Sequence, residues 1–109
     1  MELNEYQKKA KETAMYPNVG ENITYPVLGL AGEAGEIANR VKKIQRDEDN
    51  VLSKETKETI IKELGDVLWY VAILASELDS DLESVAKLNI EKLASRKERG
   101  VIGGSGDNR

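Results

Sequence analysis

The sequence predicts an all-α protein of four helices, with antiparallel central helices assembled into an oligomeric bundle. Three observations support this class. Both prolines occur before residue 27, and the remainder is rich in Glu, Lys, Leu and Ala, which favour helix. Apolar residues recur at spacings of three and four, the period of an amphipathic helix. Capping residues and short polar stretches divide this pattern into separate helices.

The first two helices follow from local signals. Residues 3–15 form a modest amphipathic helix, which ends where Tyr16 precedes Pro17, because a residue before proline avoids helical geometry. The second helix starts near Thr24, a candidate N-cap with Pro26 in the first turn, and runs to about Arg46. Its apolar stripe consists of Val27, Leu30, Ala34, Ile37, Val41 and Ile44. Three glycines inside this helix predict that a neighbouring backbone approaches closely.

The third helix is apolar on nearly every side. Ser53 is its candidate N-cap, and its main stripe consists of Ile60, Leu64, Val67, Val71, Leu74 and Leu78. Trp69, Ala72 and Ile73 lie on the opposite side, so we expect the helix to be buried at a subunit interface. A homodimer or a homotetramer would satisfy this expectation.

The fourth helix starts near Asp81, in the capping-box sequence Ser80-Asp81-Leu82-Glu83. Gly100 is the expected C-terminal stop, and the glycine-rich tail from about residue 101 to 109 is predicted to be flexible. The whole chain, residues 1–109, is expected to form one domain.

Composition excludes several classes of function. The net charge is −4, which disfavours binding to nucleic acid. No apolar run is long enough for a membrane span, and the N-terminus does not resemble a signal peptide, so we expect no membrane association. The absence of Cys fits a cytoplasmic location, and the absence of both Cys and His excludes thiol and His-dependent catalysis. Chemistry must therefore depend on oxygen ligands, Lys, Arg, Tyr, Ser or Thr.

Two acidic pairs lie at matched positions on the central helices. Glu33 and Glu63 fall roughly 60° from the centre of their stripes, and Glu36 and Asp66 fall roughly 120° away. Antiparallel packing would bring the four carboxylates together, and their mutual repulsion would require a cation. Mg²⁺ suits such oxygen ligands, and Mn²⁺ is a possible substitute. A lone acidic pair is usually a solvated surface feature, but two matched pairs favour a site.

Other candidates for substrate contact are less specific. Asn89, Lys92, Arg96 and Arg99 form a polar, basic edge of the fourth helix suited to a polyphosphate, or else an ordinary solvated face. Tyr70 lies one turn beyond Asp66 and either contacts phosphate or is a buried tyrosine. Lys43 lies two turns beyond Glu36 and either reaches phosphate or is a surface lysine. A glycosidase-like carboxylate pair is a further alternative, but the single Trp offers little surface for stacking a sugar.

These motifs resemble the MazG-like, all-α nucleoside triphosphate pyrophosphohydrolases. The resemblance covers roughly residues 25–109 and rests on the segments Leu30–Glu36, Lys62–Tyr70, Asn89–Arg96 and Arg99–Arg109. It implies hydrolysis of an NTP or dNTP to the monophosphate and pyrophosphate. Glu33, Glu36, Glu63 and Asp66 would hold Mg²⁺, and Glu33 or Glu36 would accept the proton of the attacking water. The linker from Asp47 to Ser53 lacks the aromatic cluster with which some subgroups grip a base, so base preference stays open.

Two other functions remain open at this stage. One is a non-catalytic helical oligomerisation or regulatory module that binds a structural cation. The other is hydrolysis of phosphoribosyl-ATP, an activity of the same wider superfamily. The basic edge of the fourth helix favours catalysis, because a scaffold would not need it.

Overall fold

The computed structural model describes residues 1–109 and contains four α-helices and no strands. The helices are α1 (Leu3–Lys11), α2 (Thr24–Asp47), α3 (Lys54–Glu77) and α4 (Leu82–Glu98). The predicted all-α class and the number of helices are confirmed. None of these helices combines the length and the apolarity needed to cross a bilayer.

The helix boundaries depend on local capping. The Ser53 hydroxyl accepts a hydrogen bond from the Thr56 amide at 3.1 Å, as expected for the N-cap of α3. The Asp81 carboxylate accepts one from the Ser84 amide at 2.8 Å, so Asp81 alone caps α4 and the predicted box with Ser80 does not form.

The start of α2 and the end of α1 differ slightly from the prediction. The Asn22 side chain, rather than Thr24, caps α2 by accepting from the Tyr25 amide at 3.1 Å. Helix α1 ends at Lys11 instead of residue 15, because the amides of residues 12–14 bond three residues back and tighten the chain into a turn.

Helices α2 and α3 pack side by side and run antiparallel, as predicted. Arg40 meets Glu63 at one level of the pair, and Gly29 meets the ring of Tyr70 at another. The buried or half-buried residues at this seam are Pro26, Leu30, Glu33, Ile37, Arg40 and Ile44 of α2 and Ile60, Glu63, Val67, Tyr70 and Leu74 of α3. Glu33 and Glu63 therefore lie within the seam.

The predicted stripes are rotated relative to this seam. Val27, Val41 and Leu64 were expected to be inside, but they are 45%, 42% and 52% exposed. In an antiparallel pair, residues displaced from the seam in the same rotational sense lie on the same face. We call the exposed set the apolar face, and it consists of Val27, Ala34 and Val41 of α2 with Ile61, Leu64 and Leu68 of α3.

The side of α3 that carries Trp69 is covered within the chain. The small core consists of Ala10, Ala72, Ile73, Ala75 and Leu82, with Trp69 packed against it. The Trp69 indole N–H donates to the Thr13 hydroxyl at 2.8 Å. Helix α1 and the turn after it thus cover part of the side on which we expected a subunit interface, and Trp69 is half-buried there.

A buried glutamine joins α1 to the turn between α3 and α4. The Gln7 amide nitrogen donates to the Ser76 hydroxyl at 2.9 Å and to the Ser80 carbonyl at 3.1 Å. Its oxygen accepts from the Leu82 amide at 2.8 Å. These bonds fix the start of α4 beside α1, and α4 makes no contact with α2.

The chain is extended for its length. Its radius of gyration is 16.8 Å, whereas a compact chain of this size has a value of about 13 Å. Only nine residues are buried. A single chain thus leaves much apolar surface uncovered, with α4 displaced from the central pair.

Candidate metal centre

Three of the four predicted ligands converge. One carboxylate oxygen each from Glu33, Glu63 and Asp66 can be chosen so that all three oxygens lie within 4.8 Å of one another. Glu33 and Glu63 are half-buried at the seam, and Asp66 is exposed beside them. Three hard oxygen donors at this separation fit a divalent cation such as Mg²⁺. We call this set the carboxylate triad.

Glu36 does not belong to the triad. Its side chain is exposed and borders an open hollow of ≈ 90 Å³ that is also lined by Asn39, Arg40 and Lys43. It is close enough to Glu33 to add to the repulsion on that carboxylate. Glu36 was predicted as one of four ligands, as the outer member of its pair, and in the structure it lies at the margin of the triad.

The triad is electrostatically unfavourable without a cation. Burial, together with repulsion from Asp66, Glu63 and Glu36, raises the pKa of Glu33 above its ordinary value. Groups of like charge held this close either bind protons or bind a cation. The raised pKa of Glu33 thus agrees with a site that is completed by a positive charge.

Arg40 is the cation nearest to the triad, and its place there was not predicted from the sequence. Its guanidinium lies 3.4 Å from the Glu63 carboxylate, whose side chain is only 16% exposed. Because Arg40 follows Glu36 by four residues, the sequence suggests an ordinary surface ion pair between these two side chains of one helix. Only the rotation of α2 at the seam turns Arg40 toward α3 instead.

An aromatic cluster adjoins the triad, and this cluster was not predicted from the sequence either. It consists of Tyr16, Tyr25, Trp69 and Tyr70. The rings of Tyr16 and Tyr25 stack with centroids 4.6 Å apart, Tyr25 lies 6.4 Å from Tyr70, and Trp69 meets Tyr70 edge-on at 5.0 Å. The cluster gathers residues from distant parts of the chain.

Tyr70 connects the cluster to the triad. Burial raises the pKa of Tyr70, and the neighbouring Tyr25, Glu33 and Asp66 add to the rise. Its ring fills the space over Gly29, where an added Cβ would lie 2.1 Å from the ring. Gly29 thus makes room for a side chain and not for the neighbouring backbone that we predicted. A Cβ added at Gly32 or Gly35 would have no neighbouring atom within 4 Å.

Tyr6 of α1 also lies near the triad. Burial raises the pKa of its hydroxyl, and the charge of Asp66 raises it further. Helix α1 therefore lies close enough to Asp66 for that charge to act on Tyr6, a proximity that was not predicted from the sequence.

The predicted basic edge of α4 does not reach the triad within one chain. Lys92 donates to the Asp107 carboxylate at 2.9 Å, and Arg96 donates to the Asp107 carbonyl at 2.5 Å. Arg96 is 5% exposed under the tail, while Asn89 is exposed on α4. Because α4 makes no contact with α2, these residues and Glu33 lie on helices that do not touch.

The C-terminal tail is folded back instead of extending freely. The Arg109 guanidinium donates to the carbonyls of Val101, Ile102, Gly103 and Gly106. Arg99 donates to the Arg109 carbonyl at 2.5 Å. Gly100, Gly104 and Gly106 have positive φ angles that permit these turns. The tail thus forms a hydrogen-bonded loop against the end of α4, and its predicted flexibility stays a prediction.

Fold and site together define an all-α protein with an acidic centre, between two antiparallel helices, that could hold a metal ion. The family model described as the MazG nucleotide pyrophosphohydrolase domain matches residues 23–101. The chain belongs to this family, which confirms the predicted resemblance. A pyrophosphohydrolase-type hydrolase is the activity class that this family defines.

Two relatives extend the comparison. The chain is 54% identical to the Gene 37 protein of Mycobacterium phage L5, over the full length of both proteins. It is 39% identical to the uncharacterized protein YvdC of Bacillus subtilis (strain 168), over 63% of this chain and 70% of YvdC. Neither name states a substrate. No solved structure matches the chain.

Proposed function

We propose that this protein is a Mg²⁺-dependent nucleotide pyrophosphohydrolase that converts an NTP or dNTP to the monophosphate and pyrophosphate. The observation that carries the proposal is the convergence of Glu33, Glu63 and Asp66 within 4.8 Å in a chain of the MazG family. A bound divalent cation would bind phosphate oxygens and acidify a water molecule. Mn²⁺ would be able to replace Mg²⁺, because both accept carboxylate oxygens.

The remaining roles in the proposed reaction are assigned to residues of the chain. Glu33, Glu63 and Asp66 hold the metal, and the seam keeps the half-buried Glu33 and Glu63 oriented. Glu36 stands outside the triad yet close to Glu33, so it is free to accept the proton of the attacking water. Glu33 is the alternative acceptor, since its raised pKa already favours protonation.

Substrate contacts are assigned in two groups. Tyr70 borders the triad directly, and Lys43 shares the adjoining hollow with Glu36. Substrate contact by the basic edge of α4 stays a prediction for Asn89, Lys92, Arg96 and Arg99. The tail accepts hydrogen bonds from the last three of these, and α4 makes no contact with α2 in one chain.

A homo-oligomer is part of the proposal. The apolar face exposes six apolar side chains on one side of the central pair, and only nine residues of the chain are buried. A stable interface buries about 800 Å² on each partner, which a face spanning two 24-residue helices can supply. A second copy packed on this face would leave the triad, on the other side of the pair, accessible.

The test is release of pyrophosphate from each of the eight common NTPs and dNTPs, and from phosphoribosyl-ATP, with Mg²⁺ or with EDTA. We expect turnover of at least one nucleoside triphosphate that EDTA abolishes. Turnover of phosphoribosyl-ATP alone would move the protein to that related activity. No turnover on any substrate by folded protein would favour a non-catalytic module with a structural cation.

A further inference from the structure

Arg40 forms the only ion pair between two helices of this protein. The other ion pairs join residues within one helix or join α4 to the tail. Arg40 reaches across the seam from α2 to Glu63 on α3. A positive charge thus lies against one member of the triad, on the side of the hairpin nearer the end of α2.

The contact with Glu63 leaves most of the guanidinium without a partner. Its length of 3.4 Å exceeds the roughly 2.8 Å of a strong charge-assisted hydrogen bond. The Arg40 Nε atom is buried and has no hydrogen-bond partner, the only such side-chain atom in the protein. A guanidinium carries five N–H donors, so Arg40 retains capacity for an anion with several oxygens.

The surroundings of Arg40 are open and carry charges of both signs. Arg40 and Lys43 line both the ≈ 90 Å³ hollow beside Glu36 and a second hollow of ≈ 170 Å³. The second hollow is also lined by Asp47 and Glu48 and extends to Thr56, in the first turn of α3, where the helix dipole is positive. An anion leaving the triad in this direction would meet the two cations Arg40 and Lys43, and Asp47 is already paired with Arg46.

The opposite direction along the hairpin is aromatic. Tyr70 lies one turn beyond Asp66, and Tyr25 and Trp69 pack around it. The central pair therefore presents cations, then carboxylates, then aromatic rings, in that order along its length. This order matches the polarity of a nucleoside triphosphate, with a polyanion at one end and a flat base at the other.

We propose that Arg40, which pairs with Glu63, turns to the departing pyrophosphate when substrate binds. The inference rests on the proposed function and adds a direction: the pyrophosphate lies toward Arg40 and Lys43, and the nucleoside lies toward Tyr70. Water attacks the α-phosphorus and loses a proton to a carboxylate. The bond from the α-phosphorus to the bridging oxygen breaks, and that oxygen leaves with the electron pair on pyrophosphate, whose charge Arg40 neutralises.

Binding of inorganic pyrophosphate in the presence of Mg²⁺ tests Arg40 directly. We expect Arg40→Gln to weaken binding by about 10-fold or more, as for loss of a charged hydrogen bond, and Arg40→Lys to restore part of it. Arg40→Gln should bind Mg²⁺ alone as tightly as the native protein or more tightly, since Glu63 is released. Lys87→Gln is the control, because Lys87 is an exposed cation of α4 that lines neither hollow.

The outcomes separate this inference from the proposed function. Unchanged pyrophosphate affinity in Arg40→Gln, even with a lowered melting temperature, would make Arg40 a structural residue and overturn the inference. Equal weakening of pyrophosphate and of a nucleoside monophosphate would overturn the proposed direction. If the native protein hydrolyses no nucleotide but Arg40→Gln still loses pyrophosphate affinity, the proposed function fails and the assignment of Arg40 stands.

Discussion

The two faces of the α2–α3 pair can be compared residue by residue. On one face, the carboxylates of Glu33, Glu63 and Asp66 converge with a single weak cationic partner. On the other, the apolar face exposes side chains such as Leu64 and Leu68, which are 52% and 42% accessible. The first face holds three carboxylates against one weakly paired arginine, and the second lacks apolar cover.

The comparison shows why one helix pair can serve two purposes. Burial in the seam orients the carboxylates, and the same rotation of the helices that turns Glu33 and Glu63 inward turns Val41 and Leu64 outward. A metal ion would complete the acidic face, and a second chain would complete the apolar face. Each expected partner can be removed by substitutions that leave the other face intact.

Removing one carboxylate from the acidic face should have the largest effect. We expect Asp66→Asn to lower turnover by at least about 10²-fold and to weaken Mg²⁺ binding, because even outer-shell partners of a metal cost 10–100-fold. Asp79→Asn makes the same chemical change at an exposed acid outside the triad and should behave as the native protein. Asp66→Asn should also retain the native oligomer mass, and normal Mg²⁺ affinity in this variant would exclude Asp66 as a ligand.

Negative charges introduced on the apolar face should disrupt the proposed oligomer. The double variant Leu64→Glu with Leu68→Glu is expected to lower the molar mass in light scattering to that of a smaller species, because a buried, unpaired charge is costly at an interface. Val51→Glu is the control, since Val51 is 63% exposed in the loop before α3. If the double variant has the same molar mass as the native protein, oligomers form through another surface or not at all.

The contact between Gly29 and Tyr70 couples the two helices where the aromatic cluster begins. An added Cβ at residue 29 would lie 2.1–2.6 Å from three atoms of the ring, so Gly29→Ala must displace Tyr70. We expect a loss of about 1–3 kcal/mol in the free energy of unfolding, the usual cost of overpacking. Gly32→Ala, with nothing within 4 Å, should instead gain up to about 1 kcal/mol from helix propensity. Equal effects of the two substitutions in urea unfolding would contradict the close contact.

The sequence contained most of the local information and little of the tertiary information. The N-caps Ser53 and Asp81 were predictable because a cap involves residues three apart. The acidic pairs were recognisable because their angles matched on two helices. Glu36 was predicted as a fourth ligand, and this stays a prediction, since its carboxylate lies outside the group of three that converge. The seam was not predictable, because a helical wheel centred on apolar residues cannot reveal a seam that contains Glu33 and Glu63.

The features that the sequence did not reveal depend on contacts between distant segments. Tyr16, Tyr25 and Tyr70 become neighbours only when the loop before α2 packs against α3. The Tyr16 hydroxyl donates to Glu77, and the Gly20 amide donates to the same carboxylate at 2.8 Å. Trp69 resembled an interface residue because nothing in its own helix showed that α1 would cover it.

The smallest expected effect is the pH dependence of the acidic face. Burial and the charges of Asp66 and Glu63 raise the pKa of Glu33, so the metal-free folded state binds this proton more tightly than the unfolded chain does. Stability from this group is therefore present at low pH and lost as the pH rises through the raised pKa. A bound divalent cation requires the ionised carboxylate, so metal affinity should change in the opposite direction and fall on acidification.

Urea unfolding at a series of pH values, with EDTA and with Mg²⁺, measures both signs in one experiment. Glu33→Gln should flatten the metal-free dependence, whereas Glu91→Gln, at an exposed residue of α4, should leave it unchanged. Because the whole protein contributes to its pH dependence, the informative quantity is the difference between these two variants. A Glu33→Gln protein with the native slope would mean that Glu33 ionises as freely in the folded chain as in the unfolded one, and the acidic face would then need no cation.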